Sequence, residues 1–121
     1  LCVEHAKARK QFGRPLGSFQ AVQHACADLL RDVDTARCLL HGAAWKMDQG
    51  RECAADVAMA KSYAGRTSQA VARKAHQLLG AISFCEEHPL HLFHKRILAA
   101  GLDFGDASHH LETIASAMGL V

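Results

Sequence analysis

Apolar or small residues recur at alternating steps of three and four along Phe19, Val22, Cys26, Leu29, Val33, Ala36, Leu40, Ala43 and Met47. That period keeps one face of an α-helix apolar. It predicts a helix capped by Ser18 and stopped by Gly50, about 45 Å long at the usual helical rise. A rod of that length needs neighbours of similar length. A second long helix is predicted from Cys53 to Leu79, with Val57, Ala64, Val71 and Leu78 repeating every seven residues and Gly80 ending it. Its many alanines favour helix and let a neighbouring helix approach closely. Pro89 at a first helical turn, followed by Leu90, Phe93, Ile97 and Ala100, predicts a third helix that stops at Gly101. Asp106 caps a short last helix carrying Ala107, Leu111, Ile114 and Met118. No strand-like alternation of useful length is present. The expected fold is all-α, an antiparallel up-and-down four-helix bundle.

The opening run, Leu1 to Lys10, reads as helix from its first residue, without an initiator Met or a cap. The chain is therefore expected to be the C-terminal piece of a longer polypeptide, with residues 1–121 forming one domain and the opening helix stopping near Gly13-Arg14-Pro15. A length of 121 residues is enough to bury a core without staples. A net charge of +2 lacks the strong basic bias of a nucleic-acid binder. No apolar run is long enough to cross a bilayer, and no leader marks the chain for secretion. Cys2, Cys26, Cys38, Cys53 and Cys85 are widely and irregularly spaced, which fits small buried residues in a reducing cytoplasm better than a disulfide framework or a zinc site.

Nine histidines raise the question of a metal. His88, His91 and His94 recur every three residues and would fan along one side of a helix. The usual metal site of a helical bundle uses Glu-x-x-His pairs, and this sequence has none. A polar helix face is the simpler reading, and no metal is expected. His109 and His110, as neighbours on a helix, would point apart. Lys7, Arg9, Lys10 and Arg14 cluster where the first helix gives way to a turn. They could hold a phosphate, or they could be the ordinary cations of a helix C-terminus. The residues alone thus yield a helical bundle with one candidate anion site, and no reaction.

The stretch from Arg9 to Gln20 resembles the R-x-x-F-G-x-x-L-x-x-x-Q signature of acyl-CoA dehydrogenases, at the entry to their C-terminal helical domain. Ala27-Asp28, Ala58-Met59-Ala60-Lys61, Gln77-Leu78-Leu79-Gly80 and Glu87-His88-Pro89 follow in the family's order and at its intervals. The resemblance implies a flavoenzyme with an N-terminal helical domain, a central β-domain and this C-terminal bundle. Such enzymes bind FAD, oxidise the α–β bond of an acyl-CoA thioester and pass electrons to an electron-transfer flavoprotein. Their bundles also associate into dimers or tetramers, with FAD at the junction. By the same resemblance, Arg9 holds the FAD diphosphate across the dimer, Gln11 and Phe12 touch the same cofactor, and Gln20 belongs to the same stretch. Gln77, Leu78, Gly80 and Ala81 pass its adenosine end. Ala81 and Ser83 stand where the family has glycines, so both are expected to crowd the backbone approach to the cofactor.

In the family, a glutamate ahead of a Gly-Thr pair removes the substrate's α-proton. Phe104 stands at that glutamate's place, Gly105 keeps the substrate-side glycine, and Asp106 replaces the threonine that contacts flavin. A phenyl ring cannot be a general base, so no catalytic residue is assigned within this chain. Asp103 and Asp106 are close, but a shift of one or two residues turns a side chain elsewhere. The base would then lie on an earlier helix, upstream of Leu1. Otherwise the chain is a base-less, non-catalytic subunit paired with a paralogous one, as in bacterial, particularly actinobacterial, sterol side-chain degradation.

Overall fold

The computed structural model describes residues 1–120. Among the described residues there are five α-helices: α1 (Cys2–Ala8), α2 (Gln20–Asp48), α3 (Ala54–Leu79), α4 (Leu90–Leu102) and α5 (Ala107–Ala117). Helix α3 is the hub, packing against α1, α2, α4 and α5. The four longer helices form the expected bundle, and α1 lies across one end of α3. No helix among the described residues is long and apolar enough to cross a membrane.

The opening helix is shorter than its sequence suggested. It ends at Ala8, and Arg9 is extended. Lys10–Gln11 (β1) and Arg14–Pro15 (β2) then pair as a two-residue antiparallel ladder. Phe12 and Gly13 turn the corner, both with positive φ, at 53° and 78°. That pairing of left-handed residues matches the twist of a tight hairpin. A 3₁₀ turn, Leu16–Ser18, brings Gly17 against α1, where an added Cβ would lie 3.2 Å from the Ala6 carbonyl oxygen.

Ser18 is not the cap of α2. Its hydroxyl donates to the Pro15 carbonyl at 2.7 Å, and Phe19 occupies the cap position without a side-chain bond. Asp106 does cap α5, accepting the His109 backbone N–H at 2.9 Å. Pro89 sits at the cap of α4 rather than within its first turn, and the helix runs one residue past Gly101.

The interior is made largely of methyl groups. Among the described residues Ala6, Ala25, Ala43, Ala58, Ala60, Ala72 and Ala75 are buried, and of the larger apolar ones Leu79 and Leu90 join them. On α3 the buried stripe through Ala58, Ala72 and Leu79 lies one residue beyond the repeat of Val57, Ala64, Val71 and Leu78. The reason is that α3 has neighbours on several sides, so its small residues, not its large ones, mark the closest approaches. Phe93, part of the apolar period that predicted the third helix, is exposed, as is Met118 beyond the end of α5. The seam of α2 is only partly covered. Val33, Leu40 and Met47 stay exposed along an apolar groove of about 660 Å³ shared with Val57, Ala60 and Ala64 of α3.

Candidate functional site

Where the start of α2 meets the end of α3, under the β1–β2 hairpin, lies an open cavity of about 640 Å³. Arg9 and Gln11 reach it from one side, and Gln77, Leu78, Gly80 and Ala81 from the other. Two sequence segments about seventy residues apart thus converge on one space, and six of the residues nominated from sequence line it. Helix α1 stops at Ala8, and the extended Arg9 then anchors both ways. Its N–H donates to the His5 carbonyl and its carbonyl accepts from Leu16 N–H, each at 2.8 Å. This leaves the guanidinium exposed at the cavity edge.

His5, Lys74, Ala21, Ala25 and Ile82 also line the cavity and were not singled out in the sequence. The first two carried a usable signal. His5 is four residues before Arg9 at the end of α1, and Lys74 is three before Gln77, spacings that place side chains on one helix face. Lys74 Nζ donates to Gln77 Oε1 at 3.1 Å. Burial, then the Arg9 cation and His88, push the His5 imidazole below its ordinary pKa. Among the described residues neither Arg9 nor Lys74 makes an ion pair. By contrast Lys7 pairs with Glu4 at 3.2 Å, and the Arg14 guanidinium sits 4.0 Å over the Phe19 ring. Of the cluster Lys7, Arg9, Lys10 and Arg14, it is Arg9 that lines the cavity.

The cavity fits a phosphate-bearing ligand. Two unpaired cations can neutralise a diphosphate, and Val22, Ala25, Leu78 and Ile82 offer apolar walls for a ring. At Gly80 φ is +69° and nothing lies within 4 Å of a Cβ position, so ligand and backbone can meet there. The two glycine replacements are placed differently, with the Ala81 methyl at the cavity wall and Ser83 away from it. Neither has a positive φ, and Ser83 is fully buried outside the cavity lining.

The remaining nominated residues lie elsewhere. Phe12 is 88% exposed at the hairpin tip, edge-on to Phe19, and Gln20 is exposed at the start of α2 without lining the cavity. Gly105 and Asp106 are in the α4–α5 turn, at the other end of α4 from the Gly80–Ile82 wall. Gly105 has φ +95°, and an added Cβ would meet His109 Cδ2 at 2.5 Å. The Asp106 carboxylate is engaged as the cap of α5. Phe104 has φ 60° and is 94% exposed, with its carbonyl 3.1 Å from His110 Nε2. His109 and His110 do not point apart: their rings lie edge to face at 5.2 Å. His88 Nδ1 accepts the Leu90 N–H at 3.2 Å, His91 Nδ1 is 2.8 Å from the His88 carbonyl, and His94 meets His76. Among the described residues no group of three or more His, Cys, Asp or Glu is arranged to hold a metal ion.

The family profile described as "Acyl-CoA dehydrogenase, C-terminal domain" matches residues 1–119. A short-chain-specific acyl-CoA dehydrogenase of Megasphaera elsdenii is 36% identical over 88 residues, covering 73% of this chain and 23% of that protein. The acyl-CoA dehydrogenase IpdE2 of Mycolicibacterium smegmatis is 38% identical over 96 residues, covering 79% of this chain and 29% of its own length. A solved FAD complex of PigA superposes with a TM-score of 0.94 at 31% identity, over 98% of this chain and 31% of that one. The chain thus spans less than a third of the length of the proteins it matches. With its helical bundle, its profile match and these relatives, the chain belongs to the acyl-CoA dehydrogenase family, as a C-terminal domain.

Proposed function

We propose that this chain is the C-terminal part of an FAD-dependent acyl-CoA dehydrogenase, and that its cavity holds the diphosphate and adenosine end of FAD. The observation that carries this reading is the convergence of Arg9 and Gln11 with Gln77, Leu78, Gly80 and Ala81 on one cavity with unpaired cations. Bound FAD would supply the hydride acceptor for α,β-dehydrogenation of an acyl-CoA. Within this chain, Arg9 and Lys74 neutralise phosphate charge and Gln11 and Gln77 offer amide hydrogen bonds. The bundle supplies the subunit junction, with the open α2–α3 groove as further contact surface. The substrate class is the acyl-CoA of fatty-acid or sterol side-chain β-oxidation, the electron acceptor an electron-transfer flavoprotein, and the compartment the reducing cytoplasm that five free cysteines suit.

Phe104 favours a second reading, a non-catalytic subunit of a heteromeric dehydrogenase, since its exposed ring can move no proton. Expression of the parent protein distinguishes the two. A yellow homo-oligomer bleached by acyl-CoA supports the first; flavin binding only with a co-expressed paralogue supports the second. In either assembly Arg9→Gln should weaken FAD binding by about 10-fold or more, the value of a charged hydrogen bond. Unchanged FAD affinity in that variant would remove the basis of the assignment.

A further inference from the structure

Beside the Gly80–Ile82 wall, but outside the cavity lining, a polar chain crosses from α4 to α3. His94 Nδ1 is 3.0 Å from His76 Nε2, His76 Nδ1 is 2.8 Å from Ser83 Oγ, and Ser83 Oγ is 2.7 Å from the Gly80 carbonyl oxygen. Ser83 is fully buried and His76 nearly so, with the Phe84 ring stacked on the imidazole at 4.6 Å. The short bond to a carbonyl assigns the hydroxyl proton. Ser83 donates to Gly80, so it must accept from His76 Nδ1–H. His76 Nε2 is then the bare nitrogen and accepts from His94 Nδ1–H. Every donor in the relay points the same way, and the relay ends on the backbone that walls the cavity.

We propose that His94, His76 and Ser83 are positioning residues that fix the Gly80–Phe84 segment against the bound dinucleotide, and that they release it when both imidazoles are protonated. This rests on the reading of the cavity as the FAD site. One extra proton is tolerated, because the outer nitrogen of His94 can take it while Nδ1–H still donates. A second proton must go to His76 Nε2, which then turns an N–H toward an N–H and a charge toward a charge. Burial, then His94 and His88, push the His76 imidazole below its ordinary value. The neutral relay is therefore complete at neutral pH and is lost as pH falls through that lowered value.

The cavity itself responds in the opposite sense. Protonation of His5 adds a cation beside Arg9 and Lys74 and strengthens anion binding. The two histidine effects can thus be told apart by sign.

The test titrates the parent protein with FAD, followed by flavin fluorescence, from about pH 8 to about pH 5, where histidine is the main side chain to titrate. Ser83→Ala should weaken FAD about fivefold at neutral pH, the value of one neutral hydrogen bond. The wild type should lose about the same factor on acidification. His76→Gln keeps an amide donor toward Ser83 without a charge. Relative to its own affinity at neutral pH it should show no acid loss, with any residual trend upward through His5. His94→Gln should abolish the acid loss as well. Hydrogen exchange supplies a readout free of flavin: protection of the Cys85 N–H, bonded to the Ile82 carbonyl at 3.1 Å, should fall on acidification in the wild type and not in His76→Gln. Profiles of His76→Gln and Ser83→Ala that overlay the wild type would overturn the relay while leaving the FAD site standing. No FAD binding at any pH would overturn the site and, with it, a positioning role toward a dinucleotide.

Discussion

Asp106 shows how much one side chain can decide locally. Its carboxylate accepts the His109 N–H at 2.9 Å, satisfying one of the N–H groups that the first turn of α5 leaves without a helical partner. Replacing it with alanine should cost about 1 kcal/mol in urea unfolding, whereas asparagine should hold most of that value. The cap was legible in sequence because Asp directly before an apolar-periodic run is a strong local signal. Ser18 gave the same signal and misled, since its hydroxyl found the Pro15 carbonyl instead. A hydroxyl with two nearby backbone partners of similar reach cannot be assigned from sequence alone. At the candidate site, Arg9, Gln11, Gln77 and Gly80 were legible through motif, but the His94–His76–Ser83 relay was not. Those three residues are 18 positions apart at most, yet the two imidazoles meet through the packing of α4 on α3.

At the scale of elements, helix existence followed from period and helix ends from glycine, proline and one cap. The β1–β2 hairpin was invisible because two residues per strand are too few to show alternation, and Phe12 is not a residue that announces a left-handed turn. The junction of α2 and α3 is held by Lys46, whose Nζ lies 2.6 Å and 2.7 Å from the two oxygens of Asp56. Both side chains are partly shielded from water, unlike those of the Arg31–Asp28 pair on the outer face of α2. Asp56→Asn should therefore lower stability by about 1 kcal/mol, and Asp28→Asn by less than about 0.5 kcal/mol. A double-mutant cycle with Lys46→Met, run at low and high salt, measures the difference.

For the whole molecule, the gap between expectation and structure lies in what is covered. The α2 seam predicted a face in need of partners of similar length, and Leu40 and Met47 remain 59% and 60% exposed along the groove beside α3. An apolar strip of this kind on an isolated domain promotes association. The 121-residue chain expressed alone should sediment as a dimer or larger, and Leu40→Glu should shift it toward monomer while leaving its helical circular dichroism intact. A monomeric wild-type chain would show that the groove needs no cover. Which larger side chains lie inside was less legible than which helices form, because burial on α3 is decided by contacts with four other helices at once.

The alanine interior has one more consequence. Where Ala43, Ala58 and Ala72 fill the narrowest gaps, at 4%, 2% and 2% exposure, there is almost nothing left to delete, and added carbon would have to push whole helices apart. Tolerance to substitution should thus run opposite to that of an oil-filled protein: trimming alanine to glycine should cost only about 1 kcal/mol of helix propensity, and growth is what breaks the fold. Lineages of this chain would accumulate bulk on its rim and keep its centre small.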